Sequence, residues 1–574
     1  MNRIDDLFSY CNNEINIFKE EFYLGKICRV YRDSCYLQTD NFSLLKSRVN
    51  RNDYLIPNTI NYLVVINSAS GVYLAEVISS QLNDGTLNHD ALMNQEDDSL
   101  HPMIQLKLIG IYGNDGFKLS GFNNVGIGDK VYIATAHINE LYLSSIEISK
   151  SKYSSDDKLC FSNMATTGSS KIQFRISANS LLSNHLMILG ATNSGKSTTA
   201  LSILDQLNKQ NVRFILIDPT GEYNESFPET EVEPLILGDN TFLKTGSVTS
   251  NEWIMLFNPN TETQENELLS AINELKIAHA QRDEESSIIN NGLILKRDNF
   301  VSNVEEIIRK DVPTNESFDI NKIVGQLTCD EVKEVGKDDN AKYKFDQFKH
   351  NNFQWLKDQI QYRLSKTKVG KFFKDIIKNE EINLLDKLSD FEQGEMNKSL
   401  YINASKLGKS DDSGKMMIDL ICNRILEART EHKSNNSNYK FTPIILFIDE
   451  VHRYALEHDS EGNYSTGLID IAREGRKYGI FMFLTSQSPK DVPSIVLNQI
   501  GTLLVHNLTG RDDLKIISNY FDSSTLNSLS NLGQGEALLT SINLIRDVQL
   551  KINPSSLIQN NETPFIGKIK INNQ

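Results

Sequence analysis

One stretch limits the fold more than any other. From Leu186 to Leu204 the chain reads LMILGATNSGKSTTALSIL: a short apolar run, a glycine-bracketed loop, a Lys-Ser pair, then apolar residues at helical spacing. Gly190, Gly195, Lys196 and Ser197 fit GxxxxGK[ST] without a mismatch. The glycines let backbone N–H groups curl round phosphate oxygens, and the helix that follows points its positive end at the same anion. Lys196 is placed to reach the β- and γ-phosphates and Ser197 to ligate Mg²⁺. The expected cofactors are therefore ATP and Mg²⁺. The expected binding set is Gly190, Thr192, Asn193, Ser194, Gly195, Lys196, Ser197 and Thr198.

A phosphate loop of this kind sits between parallel strands. The apolar run VRFILID, which starts at Val212, supplies the next strand and makes a βαβ unit, the signature of an α/β fold. Parallel-sheet character returns at SLYINAS, PIILFIDEV, GIFMFLTSQ and GTLLVHNL, between 399 and 508. PIILFIDE ends in Asp449 and Glu450. Asp449 is the candidate Mg²⁺ ligand, and Glu450 is the candidate base that polarises the attacking water. The same pair also reads as helix-capping charge. Gln487 closes GIFMFLTSQ, as a γ-phosphate contact or an ordinary loop start. Arg473, Arg476 and Lys477 cluster in IAREGRKYG. An arginine aimed at the transferring phosphoryl group accelerates hydrolysis and is often donated by a neighbouring subunit. A solvated basic helix face is the competing reading.

At 574 residues the chain is too long for one core. Residues 1–148 hold short β-like runs separated by Gly, Asn and Asp, which predict a small antiparallel barrel. Residues 149–170 read as a polar linker. Residues 171–224 and 398–550 form the ATPase core, 225–397 a mostly helical insertion, and 551–574 a C-terminal tail. A net charge of -16 excludes an outer surface coated for nucleic acid, but not a local basic track. Lys276, Arg282, Lys296 and Arg297 are the insertion's basic candidates for such a track, against the plainer reading of solubilising charge. The six cysteines are scattered without metal spacing and read as reduced thiols. The first ten residues carry acids where a secretory leader needs an apolar run. No run approaches the roughly 18–20 apolar residues that span a bilayer. The expected compartment is the cytoplasm, with no membrane partner.

GATNSGKST, ILIDPTGEY, LFIDEVHRY, AREGRKYGIFMFLTSQSP and NLGQGEALL follow one another in this order. In this the chain resembles the HerA-type ATPases of the HerA/FtsK division. The resemblance implies a RecA-like P-loop core with a mixed or parallel sheet, an N-terminal HAS barrel and a helical insertion. It also implies a hexameric ring that moves double-stranded DNA through its central channel. By the same resemblance Lys196, Glu450 and Gln487 are catalytic, and Arg476, with Arg473 as runner-up, is the trans-acting arginine. Asp218 and Glu222 of DPTGEY face the nucleotide region. Two departures stand out: Asn193 replaces a usual glycine, and Asn184-His185 stands where the family often has Arg-His. The Asn-, Ser- and Lys-rich composition, with pI about 5.2, leans to a bacterial antiviral member. Its separate effector, a sirtuin-type NADase or a nuclease, would dock on the barrel. The alternative is a translocase working with a nuclease in DNA end processing.

Overall fold

The computed structural model describes residues 3–559, apart from 10–18, 33, 51–52, 56, 58, 83–85, 115, 149–156, 166–171, 283–285, 338–339, 367, 408–410, 436–439, 454–466 and 522. Most of the expected linker and of the tail thus lies outside the described residues. The chain divides into two compact units. The first is 1–210, 487–490 and 500–555; the second is 211–486, 491–499 and 556–574.

The first unit opens with the barrel. Six antiparallel strands pair in the order Cys35–Thr39, Tyr23–Val30, Lys130–Ile133, Leu63–Ser68, Gly71–Gln81 and Met103–Gly113. The last pairs back with the first, Cys35 opposite Leu106, and closes the sheet. Closure removes the unpaired edges that would otherwise bind another chain. Leu24, Leu37, Val65, Leu74 and Leu106 are fully buried inside, each contributing about 1.5–3 kcal/mol of apolar burial.

The rest of the first unit is a sheet in the order Gln173–Ser177, Lys158–Met164, Val548–Ile552, Glu536–Ser541, Thr502–Val505 and Leu186–Leu189. Only its last pair is parallel. Glu536–Ser541 and Val548–Ile552 form a hairpin, whose second strand crosses the expected core–tail boundary at 551. The strand Lys158–Met164 lies inside the stretch read as linker. Leu159 and Phe161 alternate inward, a period-two signal drowned by the polar residues on either side. Helix Lys196–Lys209 buries Ala200, Ile203, Leu204 and Leu207, the i, i+3, i+4, i+7 stripe that holds it down.

The second unit carries an all-parallel sheet in the order Ile480–Ser486, Ile444–Ile448, Phe214–Asp218, Ser399–Asn403 and Val232–Ile236. Val232–Ile236 falls in the region assigned to the insertion. Pro234 disguises it: proline gives no ladder donor, which an edge strand tolerates. The insertion is mostly helical, as expected, with Ser250–Phe257, Glu262–Ala280, Val301–Ile308, Ile323–Cys329, Gln347–Lys366 and Leu384–Gln393. Trp253 anchors it among Phe257, Phe318 and Phe373, with ring centroids 5.1–5.9 Å away. A long helix, Asp411–Asn435, then returns to the sheet.

Candidate nucleotide-binding site

The phosphate loop and Gln487 belong to the first unit, the acid strand and the arginine segment to the second. Strand Leu186–Leu189 is buried at every position. It releases into a loop whose shape is set by residues with positive φ: Asn193 at 63° and Gly195 at 117°. Asparagine adopts this left-handed backbone more readily than most residues, so replacing the usual glycine leaves the turn intact. Gly195 caps helix Lys196–Lys209. Inside the loop, Ser194 Oγ donates to the Ala191 carbonyl at 2.7 Å and Lys196 Nζ donates to the same oxygen at 3.3 Å. Thr192 Oγ1 donates to Gln487 Oε1 at 3.2 Å, so these two predicted residues do meet. Lys196 is buried, Ser197 half-buried, and Thr192, Asn193 and Thr198 are exposed.

The loop rests on a platform that sequence reasoning missed. A Cβ on Gly190 would lie 2.7 Å from His506 Cβ and 2.7 Å from Ser194 Oγ. A Cβ on Gly195 would press on the Gly535 backbone and His506 Cε1 at 3.3 Å. His506 is fully buried, and its Nδ1 donates to the Glu536 carbonyl at 2.8 Å. That fixes Nε2 as the acceptor of the Thr199 hydroxyl, 2.9 Å away. Burial, with Lys196 nearby, pulls the imidazole down to about 4, so it is neutral at pH 7. The NLGQGEALL stretch covers the loop: Gly535 N–H donates to Ser194 O at 3.0 Å, and Gln534 Nε2 donates to Asn193 Oδ1 at 3.2 Å. The only signal for His506 was a polar residue ending a buried strand, the pattern that marked Gln487. Asn184 and His185 are structural: both are buried and take part in the turn that precedes the phosphate-loop strand.

In the second unit, strand Ile444–Ile448 is buried throughout and delivers Asp449, which is 3% exposed. Thr485 Oγ1, from the neighbouring strand, donates to Asp449 Oδ1 at 2.6 Å and accepts the Glu450 N–H at 2.8 Å. Glu450 adopts φ +47°, an uncommon backbone for a non-glycine residue. Its carboxylate lies 3.1 Å from His452 Nδ1. Burial, reinforced by Glu450, Asp218 and Glu222, pushes the Asp449 carboxyl up to about 7 against the pull of Thr485. Burial also raises Glu222, with Asp218 and Glu450 adding to it.

Asp218 has another task. Its carboxylate accepts from Thr220 N and Oγ1, Gly221 N, Tyr223 N and Tyr401 Oη at 2.8–3.0 Å, and so organises its own turn. Arg473 lies in the last turn of helix Gly467–Glu474, and Arg476 sits in the 3-10 turn Gly475–Tyr478; both are exposed. Among the basic candidates of the insertion, Lys296 is corrected. It is buried between Glu274, at 2.6 Å, and Asp330, at 2.9 Å, and serves the core of the insertion. Among the described residues no group of three or more His, Cys, Asp and Glu has the geometry to hold a metal by itself.

Residues 163–400 match the family model of the helicase HerA central domain. A probable helicase of Methanocaldococcus jannaschii is 24% identical over 382 residues, 64% of this chain and 62% of its own length. The DNA double-strand break repair helicase HerA of Sulfurisphaera tokodaii is 26% identical over 389 residues, 66% of each chain. The match thus spans just under two thirds of these two relatives. Among solved structures, VirB4 of Thermoanaerobacter pseudethanolicus is 12% identical with TM-score 0.45, covering 71% of this chain and 99% of its own. The bacterial conjugative coupling protein TrwB is 13% identical with TM-score 0.42, covering 68% and 90%.

Proposed function

We propose that the chain, whose residues 163–400 match the HerA central domain, is a HerA-type ATPase that hydrolyses ATP as a ring-forming motor acting on double-stranded DNA. The observation that carries this reading is the phosphate loop: a buried strand, a turn held open by Asn193 and Gly195, and a 14-residue helix starting at Lys196. Its orphan N–H groups and helix dipole suit a polyphosphate.

The roles assigned to the residues are those that phosphoryl transfer requires. Gly190, Thr192, Asn193, Ser194, Gly195 and Thr198 wrap the phosphates, and Lys196 pairs with the β- and γ-oxygens. Ser197 and Asp449 would hold Mg²⁺, which when bound neutralises phosphate charge. The fit is supported by Asp449 itself, a carboxyl raised to about 7 chiefly by burial and further by neighbouring acids, whose ionised form a divalent cation would stabilise. Glu450 takes the proton of the attacking water, and Gln487, beside Thr192, reads the γ-phosphate. Arg476, or Arg473 next to it, reaches the nucleotide of the adjoining copy, so at least two copies complete a site; the expected ring is a hexamer. DNA passes through the channel with backbone contacts alone.

The finer reading is a bacterial anti-phage role with a separate effector, a sirtuin-type NADase or a nuclease, docked on the N-terminal barrel. Its support is compositional. The second reading, DNA end processing with a nuclease, is favoured by relatives named as double-strand break repair helicases. No helix among the described residues is long and apolar enough to cross a membrane.

The test is phosphate release by the purified full chain with ATP and Mg²⁺, with and without linear double-stranded DNA, alongside native mass. DNA-stimulated turnover by an oligomer is expected. A monomer with no turnover, or turnover unchanged in Lys196→Ala, overturns the proposal. Co-purification with a nuclease or with an NAD-cleaving enzyme separates the two finer readings.

A further inference from the structure

The arginine segment is gripped at both ends by one helix. At its start, the Gly467 N–H donates to Asp419 Oδ1 at 2.5 Å, and Asn423 Nδ2 holds the other oxygen, Asp419 Oδ2, at 2.9 Å. The two helices approach so closely that a Cβ on Gly467 would lie 2.5 Å from Asn423 Oδ1 and 2.8 Å from both the Asp419 carbonyl and Cys422 Cβ. At its end, Arg429 Nη1 donates to Tyr478 O at 3.1 Å and to Thr442 O at 3.0 Å. Arg429 is 1% exposed, pairs through Nε with Glu392 Oε1 at 2.9 Å, and lies 5.0 Å from the Phe441 ring centroid. Lys433 adds a third hold, with Nζ donating to Lys477 O at 3.3 Å. Asp419, Asn423, Arg429 and Lys433 all belong to the helix Asp411–Asn435. Between the held ends stand the two exposed arginines.

We propose that Asp419 and Arg429 are positioning residues for the trans-acting arginine. The helix Asp411–Asn435 fixes both ends of Gly467–Tyr478, so that Arg476 is presented to the adjoining copy at one place. This rests on the reading of Arg476 as an arginine given in trans. Asp419 acts as the cap of helix Gly467–Glu474, satisfying an N–H that the helix itself leaves unpaired. Arg429 satisfies the Tyr478 carbonyl at the far end, where Gly479 at φ +71° turns the chain into strand Ile480–Ser486. Neither residue touches nucleotide. Both act by removing freedom from the segment that carries the arginine, and a misplacement of about 1 Å at such a group costs about 100-fold in rate.

The experiment is subunit mixing with the full chain. Asp419→Ala alone is expected to bind a fluorescent ATP analogue within about twofold of the unaltered chain while hydrolysis falls about 10- to 100-fold. Asp419→Asn, which keeps an acceptor oxygen, restores most of the rate. Rings mixed from Asp419→Ala and Lys196→Ala subunits regain hydrolysis, because one supplies an intact phosphate loop and the other a correctly held arginine. Arg476→Ala mixed with Lys196→Ala is the parallel arm. If that arm fails, the trans-arginine reading falls and this proposal with it. If that arm succeeds while Asp419→Ala is not rescued, Asp419 acts within its own subunit and only the positioning proposal is overturned. Should Asp419→Ala not fold, Asp419→Ser carries the same test with a shorter, weaker cap.

Discussion

Thr485 connects both acids of the candidate site through one hydroxyl, and replacing it with valine isolates that link. Valine keeps the shape and removes the oxygen. Two partners then lose their hydrogen bond: the buried Asp449 Oδ1, at 2.6 Å, and the part-buried Glu450 N–H, at 2.8 Å. A hydrogen bond to a charged group contributes about 1.5–3 kcal/mol, and about 1.36 kcal/mol corresponds to one pKa unit, so the Asp449 carboxyl rises by about one to two units. It already stands at about 7, raised chiefly by burial. The sign follows from the role: Mg²⁺ binding needs the carboxylate, so kcat/KM for Mg²⁺·ATP falls as pH drops through the free-enzyme pKa. At pH 7 the ionised fraction goes from about a half to between about a tenth and a hundredth, a loss of about 5- to 50-fold. Most of the loss should return above about pH 9. The assay is kcat/KM for phosphate release from pH 6 to 9 for Thr485→Val, with Thr485→Ser keeping the hydroxyl and the original profile. A Thr485→Val acid limb superimposed on that of the unaltered chain would refute the reasoning. The orphaned Glu450 N–H, on a backbone already at φ +47°, is expected to lower the melting temperature as well.

Three further outcomes are expected. Lys196→Ala should abolish ATP binding or hydrolysis in a nucleotide-binding titration and a turnover assay; retention of both removes the phosphate-loop assignment. Glu450→Ala should bind the ATP analogue normally and turn over about 100-fold more slowly or worse; lost binding instead would place Glu450 in the metal shell or the fold. His506, neutral and held at about 4, should make the fold acid-sensitive. Its folded pKa lies below the unfolded value of about 6.5, so its stabilisation is complete above pH 6.5 and lost as pH falls toward 4, about 2 kcal/mol between pH 7 and 5. Urea titrations at those two pH values should show this share vanish in His506→Gln; an unchanged pH dependence would mean that the ring is not the titrating group.

Features encoded by consecutive residues were mostly legible in the chain. GATNSGKST specifies a turn because its glycines and Asn193 take the backbone it needs, and because a buried strand and an amphipathic helix flank it without interruption. The parallel strands were legible as unbroken apolar runs, and the barrel as alternating ones. Val232–Ile236 and Lys158–Met164 were not, because Pro234 and polar neighbours hide short strands whose evidence is their pairing partner far along the chain.

What stands behind the motif came from the packing of distant segments. His506 meets Thr199 across 307 residues, Thr485 meets Asp449 from another strand, and Asp419 reaches Gly467 from another helix. That packing also gave Asp218 a task in its own turn and moved Lys296 out of its candidate role, burying it between two acids. The physical reason is that backbone conformation is a local property, written in residue type and spacing. The partner of a buried hydroxyl or carboxylate is chosen only when distant segments close round it and water is excluded.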